Sequence, residues 1–198
     1  MAFYFAYGSN MSNDYFRNVR KMTPISSNPA VLNDYRLVMN LKGPNFVEPS
    51  FANICYDKGA RVEGVLHEIA QRDFDRIVAS EGETYELIEA SVVCGDRTVM
   101  AQTLMSKADI EQDLPTSRRY LKILIKAAIQ SDLTAEYIAS LKSKRSVYYP
   151  ILSEIFAVRV YLCGAPASSS SFAMPKGVSL AGPTILETDN ISTGFQRP

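Results

Sequence analysis

Residues 4 to 11 read Tyr4-Phe5-Ala6-Tyr7-Gly8-Ser9-Asn10-Met11, an aromatic run that breaks into Gly-Ser-Asn almost at the start of the chain. Aromatic side chains suit a pleated, half-buried surface, and Gly, Ser and Asn each favour a turn. A strand is therefore expected to deliver its end into a tight turn at Gly8. Without a Cβ, Gly8 permits close approach and is free to take φ > 0. Successive N–H groups in such a turn make a nest for an oxyanion or a carboxylate. The same residues also suit a hairpin turn with no ligand, so the turn alone does not decide its use.

Some seventy residues on, Gln71 to Ser80 places Phe74, Ile77 and Val78 at i, i+3 and i+4, the spacing of a short amphipathic helix. Glu81-Gly82 is expected to end it, with Gly82 in the position after the last helical residue. Glu81 then sits at the negative end of the helix dipole, the wrong charge for stability. A carboxyl group placed against the local rule suits a proton-transferring residue, although an exposed Glu closing a helix is also an ordinary solvated side chain. Glu83 and Glu86 lie close by in sequence.

In this order and at about this separation, the turn and the helix end resemble the γ-glutamylcyclotransferase family, with its AIG2-like fold. The matching segments are Tyr7-Gly8-Ser9-Asn10; Ala30 to Leu37; Ala52-Asn53-Ile54 leading to Val62–Ile69; the helix closing at Glu81-Gly82; the strand opening at Tyr85; and Pro115-Thr116-Ser117-Arg118-Arg119-Tyr120-Leu121 before a helix. The resemblance covers about residues 1 to 145. Each piece is weak, and their joint order is what gives it specificity.

The remaining sequence bounds the problem. A chain of 198 residues with 46% hydrophobic residues can bury one substantial core. Equal counts of 21 basic and 21 acidic residues, with no basic stripe, argue against a nucleic-acid surface. Lys142, Lys144 and Arg145 form the densest basic cluster and read as a solvated helix end. No run approaches the ~20 apolar residues of a membrane span, no basic signal region precedes Arg17, and a cytoplasmic protein is expected. Cys55, Cys94 and Cys163 make neither a metal pair nor an even disulfide set, and no metal site is expected. The single histidine, His67, reads as a packed or surface imidazole, with a base as the alternative.

Arg61–Ile69, Tyr85–Val93 and Thr98–Met105 are short β-type runs. Leu121, Leu124, Ile125 and Ala128 mark a helix from Ser117, and a second is expected to start at a Thr134 cap with Leu133 and Ile138 as a hydrophobic staple. Strands with segregated helices suggest an α+β protein. The family resemblance sharpens this to a small mixed β-barrel with helices packed outside and a cavity at its mouth. Residues 156 to 162 alternate as a strand, and Ala165 to Ser171 read as a loop. The expected organisation is one domain over 1–163 and an irregular extension over 164–198, laid over the body or against a second subunit, which leaves a homodimer open.

The resemblance implies an enzyme acting on a small-molecule γ-glutamyl substrate. The substrate's own α-amine attacks its γ-carbonyl, closing 5-oxoproline and expelling an amine or amino acid without a cofactor. It further implies Glu81 as the proton shuttle. Backbone around Ala6, Tyr7, Gly8, Ser9 and Asn10 would hold the carboxylate or oxyanion, with Tyr7 lining the pocket, Tyr120 facing the glutamyl head group and Tyr85 walling the site. In a chain with eleven tyrosines each of these also has a plain packing role. Two other classes stay open: a non-catalytic small-ligand module of the same fold, and a hydrolase of another small carboxylated amide. The released amine is not specified by the sequence.

Overall fold

A computed structural model of the chain describes residues 1–43, 47–81, 84–107 and 112–149. Five strands close a barrel in the order β1-β3-β2-β4-β5: β1 (Ala2–Ala6), β2 (Ser26–Lys42), β3 (Ser50–Ile69), β4 (Tyr85–Cys94) and β5 (Arg97–Ser106). Among the described residues four α-helices accompany it: α1 (Asn13–Asn18), α2 (Gln71–Glu81), α3 (Arg118–Gln130) and α4 (Ala135–Lys142). A short parallel pair, β6 (Thr116–Ser117) and β7 (Ser146–Val147), sits beside α3. The expected α+β mixed barrel is the observed fold. The strand expected over 156–162, the loop over 165–171 and the 163/164 boundary lie outside the described residues, as do Gly82 and Glu83.

The barrel grows from one long hairpin. β2 and β3 pair antiparallel from Ser26↔Glu68 to Lys42↔Ser50. Asn33 faces Arg61 while Tyr35 faces Tyr56, so Asp57 to Ala60 bulge out of β3. Asp34 takes φ 62° there and its Oδ1 accepts the Gly59 N–H at 2.9 Å. That polar bulge splits one strand into the two segments legible in sequence, Ala52–Ile54 and Val62–Ile69. β4 and β5 pair from Tyr85↔Ser106 to Cys94↔Arg97, turning at Gly95 with φ 59°.

β1 seals the barrel. It pairs antiparallel with β3, Ala6 opposite Val65, and parallel with β5 at Tyr4↔Gln102. Gly64 makes the first contact possible, because a Cβ there would strike the Ala6 carbonyl. Side chains reinforce the second: Thr103 Oγ1 donates to the Phe5 carbonyl at 2.8 Å, and the Tyr7 hydroxyl donates to the Leu104 carbonyl. Phe5, Leu32, Met39, Ile54, Ile69 and Val92 are buried in the core.

The helices follow their sequence signals. Ser117 and Thr134 cap α3 and α4, accepting from Tyr120 N at 3.0 Å and Tyr137 N at 3.2 Å. α3 buries Tyr120, Leu121, Leu124, Ala127 and Ala128, so Leu124→Ala should cost roughly 2–5 kcal/mol. α2 buries Phe74 and Ile77, and the Phe74 ring lies 5.9 Å from that of Tyr4. The C-terminal end of α2 is tied through Arg20 to Asn10, just past the end of β1. Among the described residues no helix is long and apolar enough to cross a membrane.

Candidate functional site

The chain leaves β1 at Ala6, passes Tyr7 and Gly8, and enters a 3-10 turn over Ser9–Met11 closed by Met11 N–H to Gly8 O at 3.0 Å. Gly8 does not use its freedom to take a positive φ; its φ is −107°. The reason for glycine is space, since a Cβ would stand 3.3 Å from the Tyr120 hydroxyl and 3.8 Å from Ala52 Cβ. Ala6 is buried with Val65 opposite, so only its backbone can serve a ligand. Asn10 is likewise buried, and its side chain is engaged: Nδ2 donates to the Tyr4 hydroxyl at 3.0 Å and Oδ1 accepts from Arg20 Nε at 3.3 Å. Ser9, half-buried, opens the turn, where the first N–H groups have no partner within the turn itself.

Beneath the turn sits His67, fully buried on β3. Its Nε2 lies 2.9 Å from the Asn10 carbonyl and its Nδ1 2.8 Å from Ser27 Oγ. A carbonyl only accepts, so Nε2 carries the proton and Nδ1 accepts from the Ser27 hydroxyl. Burial pushes its pKa down from 6.5 to about 4, opposed by the Asn10 bond. With both nitrogens engaged and the ring neutral, His67 is a packed support of the turn and not a base, as its isolation in the sequence suggested.

Glu81 closes α2 as expected, but it is not uncompensated there. Arg20 Nη2 is bonded to Glu81 Oε1, with side chains 10% and 13% exposed. The same guanidinium reaches Ser80 Oγ through Nη1 and Asn10 through Nε, and stands over the Tyr15 ring at 5.8 Å. Arg20 is the residue that sequence reasoning missed. The pair spans sixty-one positions, and nothing in the local pattern distinguishes Arg20 from Arg17 or Lys21. Among the described residues Glu81 Oε2 has no hydrogen-bond partner.

The tyrosines gather around this carboxylate. The negative charge of Glu81 is felt by Tyr4, Tyr7, Tyr15, Tyr85 and Tyr120, in each case helping to hold the phenol un-ionised. Burial is the main cause throughout: it pushes Tyr4 up to about 12 and Tyr7, Tyr85 and Tyr120 well above the usual phenol range. All are neutral hydroxyls at physiological pH, and none is a base. They differ in what remains free. Tyr7 gives its proton to Leu104 O in the barrel seam. Tyr120 accepts the Ala52 N–H at 3.3 Å, and its own proton has no acceptor among the described residues. The hydroxyl of half-buried Tyr85 makes no hydrogen bond among the described residues. Tyr120 and Tyr85 can therefore offer a donor to a ligand, while Tyr7 forms wall.

A second buried network fixes Tyr120. Glu48, fully buried, accepts from Ser117 Oγ at 2.5 Å and pairs with Arg119 through Nε at 2.8 Å. Burial raises the Glu48 pKa, and Arg119 and Ser117 oppose that rise. The network clamps the start of α3 to the loop before β3, and the Tyr120 ring packs edge-on to Phe51 at 5.2 Å.

On another side, a groove of about 460 Å³ runs between β2, β3 and α4, lined by Arg36, Arg61, Asp113, Tyr137, Lys144 and Arg145 among others. Lys144 is not a solvated helix-end cation as expected; its side chain is 18% exposed, bonded to Asp113 at 2.6 Å and to the Leu37 carbonyl at 3.0 Å. None of the expected site residues lines this groove. Among the described residues no three His, Cys, Asp or Glu side chains gather as a metal would require.

Residues 61–141, which include Glu81, Tyr85 and Tyr120, match the AIG2-like family. The chain is 27% identical over 175 residues to a gamma-glutamyl cyclotransferase (aclK) of Aspergillus oryzae, covering 76% of this chain and 63% of that protein. It thus spans less than two thirds of that relative's length. It is 25% identical over 153 residues to a gamma-glutamyl cyclotransferase (gliK) of Claviceps purpurea, covering 71% of this chain and 68% of the other. A solved gamma-glutamyl cyclotransferase structure superposes with a TM-score of 0.64 at 22% identity, over 73% of this chain and 88% of that one. The chain is an α+β protein with the γ-glutamylcyclotransferase fold. The resemblance to that family, read from the Gly8 turn, the Glu81 helix end and the Tyr120 segment, holds.

Proposed function

We propose that the chain is a γ-glutamyl cyclotransferase, converting the γ-glutamyl group of a γ-glutamyl amide to 5-oxoproline with release of the free amine or amino acid. The observation that carries this reading is one largely buried carboxylate, Glu81, tied through Arg20 and Asn10 to the turn at Gly8, where the Tyr120 hydroxyl also arrives. The names of the Aspergillus and Claviceps relatives support it. In this reading Glu81 Oε2 takes a proton from the substrate's α-ammonium. The freed amine attacks the γ-carbonyl carbon, a C–N bond closes the lactam ring, and the carbonyl oxygen becomes an oxyanion. Glu81 then returns the proton to the leaving nitrogen as the oxyanion reforms the carbonyl and the leaving C–N bond breaks, and the second proton of the new lactam nitrogen passes through the same carboxylate to the departing amine, which leaves as an ammonium. A positioned proton shuttle contributes roughly 10²–10⁴-fold.

N–H groups of the turn and the free Tyr120 proton supply donors for the substrate carboxylate or the oxyanion. The buried, aromatic surroundings strengthen each such bond by excluding water. A folded-back glutamyl chain brings amine and carbonyl together, which in well-oriented intramolecular reactions is worth several kcal/mol. Screening a panel of γ-glutamyl amides for 5-oxoproline by mass spectrometry tests the reading. Release of glutamate instead would assign the site to a hydrolase. Binding without either product would make it a ligand module.

A further inference from the structure

We propose that Arg20 is the positioning residue for Glu81: by holding Oε1 it fixes the carboxylate so that Oε2 exchanges the proton, and through Asn10 it ties that orientation to the turn. The proposal rests on the cyclotransferase reading. Its basis is the use made of the guanidinium. Nε donates to Asn10 Oδ1 at 3.3 Å, Nη1 to Ser80 Oγ, and Nη2 to Glu81 Oε1, so each nitrogen is engaged. The Tyr15 ring lies against its face, and Arg76 Nη2 donates to its backbone carbonyl at 3.4 Å. A rigid, planar fork of this kind imposes orientation in a way a lysine does not.

Stability is a poor explanation for the arrangement. Burying an ion pair gains little over apolar packing, because desolvation offsets the attraction. What the pair does supply is a fixed distance between three points: the turn at Asn10, the last turn of α2 at Ser80, and one carboxylate oxygen. The other oxygen is left without a partner among the described residues. A carboxylate free to rotate about its last torsion would present either oxygen, or neither, to the amine. Because reacting groups misplaced by about 1 Å can lose roughly 10²-fold in rate, anchoring Oε1 has a kinetic consequence.

The test measures kcat and KM on a γ-glutamyl amide from the screen, and the Kd of 5-oxoproline by calorimetry, for Arg20→Gln, Arg20→Lys, Ser80→Ala, Glu81→Gln and the Arg20→Gln/Glu81→Gln pair. Arg20→Gln should lower kcat about 10- to 100-fold with KM and Kd within about threefold. Arg20→Lys should recover part of that loss, and Ser80→Ala should cost about two- to threefold in kcat. In the Glu81→Gln background, removing Arg20 should change residual turnover by less than about twofold, since the residue acts through the carboxylate. Unchanged kcat in Arg20→Gln with Glu81→Gln inactive would overturn the proposal. So would a tenfold rise in KM and Kd at preserved kcat, which would make Arg20 a direct substrate ligand. Should Arg20→Gln unfold, unchanged kcat in both Arg20→Lys and Ser80→Ala would overturn it equally. Full turnover in Glu81→Gln, or no 5-oxoproline from any amide, would instead remove the cyclotransferase reading itself, and the proposal with it.

Discussion

Arg20–Glu81 and Arg61–Glu136 are pairs of the same two residue types, on different sides of one barrel. Arg61, which lines the outer groove, lies 3.1 Å from Glu136, with side chains 54% and 84% exposed. Arg20 and Glu81 are 10% and 13% exposed, and the guanidinium has two further acceptors. Water and salt screen the first pair, and such contacts are worth about 0–1 kcal/mol. The second is shielded, so its geometry is enforced and the loss of either partner is felt. The groove side also balances its charges locally: Lys144 has Asp113, and Arg36 has Asp57 at 3.4 Å. On the turn side, by contrast, Glu81 Oε2 and the Tyr120 proton have no partner among the described residues. Buried groups with unused bonding capacity are what a ligand can satisfy; the turn has these two around one carboxylate, while the groove has the buried Tyr137 hydroxyl, which has no partner among the described residues.

The sharpest way to break this comparison is Glu81→Gln. The amide oxygen still accepts from Arg20, so the fold should survive, with Tm lowered because the shielded guanidinium loses its counter-charge. An amide cannot shuttle a proton, and kcat for 5-oxoproline release should fall roughly 10²-fold or more. Activity within a few-fold of wild type would place the proton transfer elsewhere.

Acid should loosen the turn side through His67. The unfolded chain takes its proton near the ordinary histidine pKa of 6.5, whereas the buried ring resists until about pH 4. A lowered folded pKa means that stability is fully present above pH 6.5 and is lost as pH falls toward 4. The loss from this one group is about 3 kcal/mol. Urea unfolding across that window measures it, and His67→Gln should flatten that part of the slope. An equally steep profile in the variant would show that the acid sensitivity belongs to carboxylates.

Where the sequence was legible, the reason is local. Tyr85–Cys94 and Arg97–Ser106 are short runs carrying Ile88, Val92, Val93, Thr98, Val99 and Thr103, and α3 and α4 begin at Ser117 and Thr134 because a hydroxyl at those positions caps the helix. Glu81 stood out because it breaks a local rule, and the Gly8 turn because Gly-Ser-Asn abruptly ends an aromatic run. The unread parts are long-range. The polar bulge at Asp57 to Ala60 hid the unity of β3. No periodicity marks Arg20 as the partner of a residue sixty-one positions away, nor His67 as the support of Asn10. The reason for glycine at position 8 was also invisible, since it depends on where α3 sends the Tyr120 hydroxyl.

That last point gives a smaller effect, confined to binding. A side chain at position 8 meets the Tyr120 hydroxyl at 3.3 Å with its Cβ alone, and a valine adds two methyl groups beyond that. Gly8→Val should weaken 5-oxoproline binding about tenfold or more by filling the space and displacing a donor, while Ser9→Ala should cost about threefold or less if backbone N–H groups make the contact. Because φ at Gly8 is −107°, backbone strain is no part of the expectation, and Tm should move little. Calorimetry on both variants decides it: unchanged affinity in Gly8→Val would make the turn structural only.

The smallest effect belongs to the groove and tests the other half of the comparison. Arg61→Ala removes a cation whose partner, Glu136, is largely in water, so the cost of leaving that carboxylate alone is small. Unfolding free energy should change by less than about 1 kcal/mol, and less still at high salt, where an exposed pair is already screened. Turnover should stay at the wild-type level, because Arg61 lines the groove and makes no contact with the Glu81 cluster. Urea titrations at low and high salt, paired with 5-oxoproline assays, measure both. A loss of several kcal/mol, or one insensitive to salt, would mean that the groove pair is shielded like Arg20–Glu81, and exposure would no longer explain why the two sides of the barrel differ.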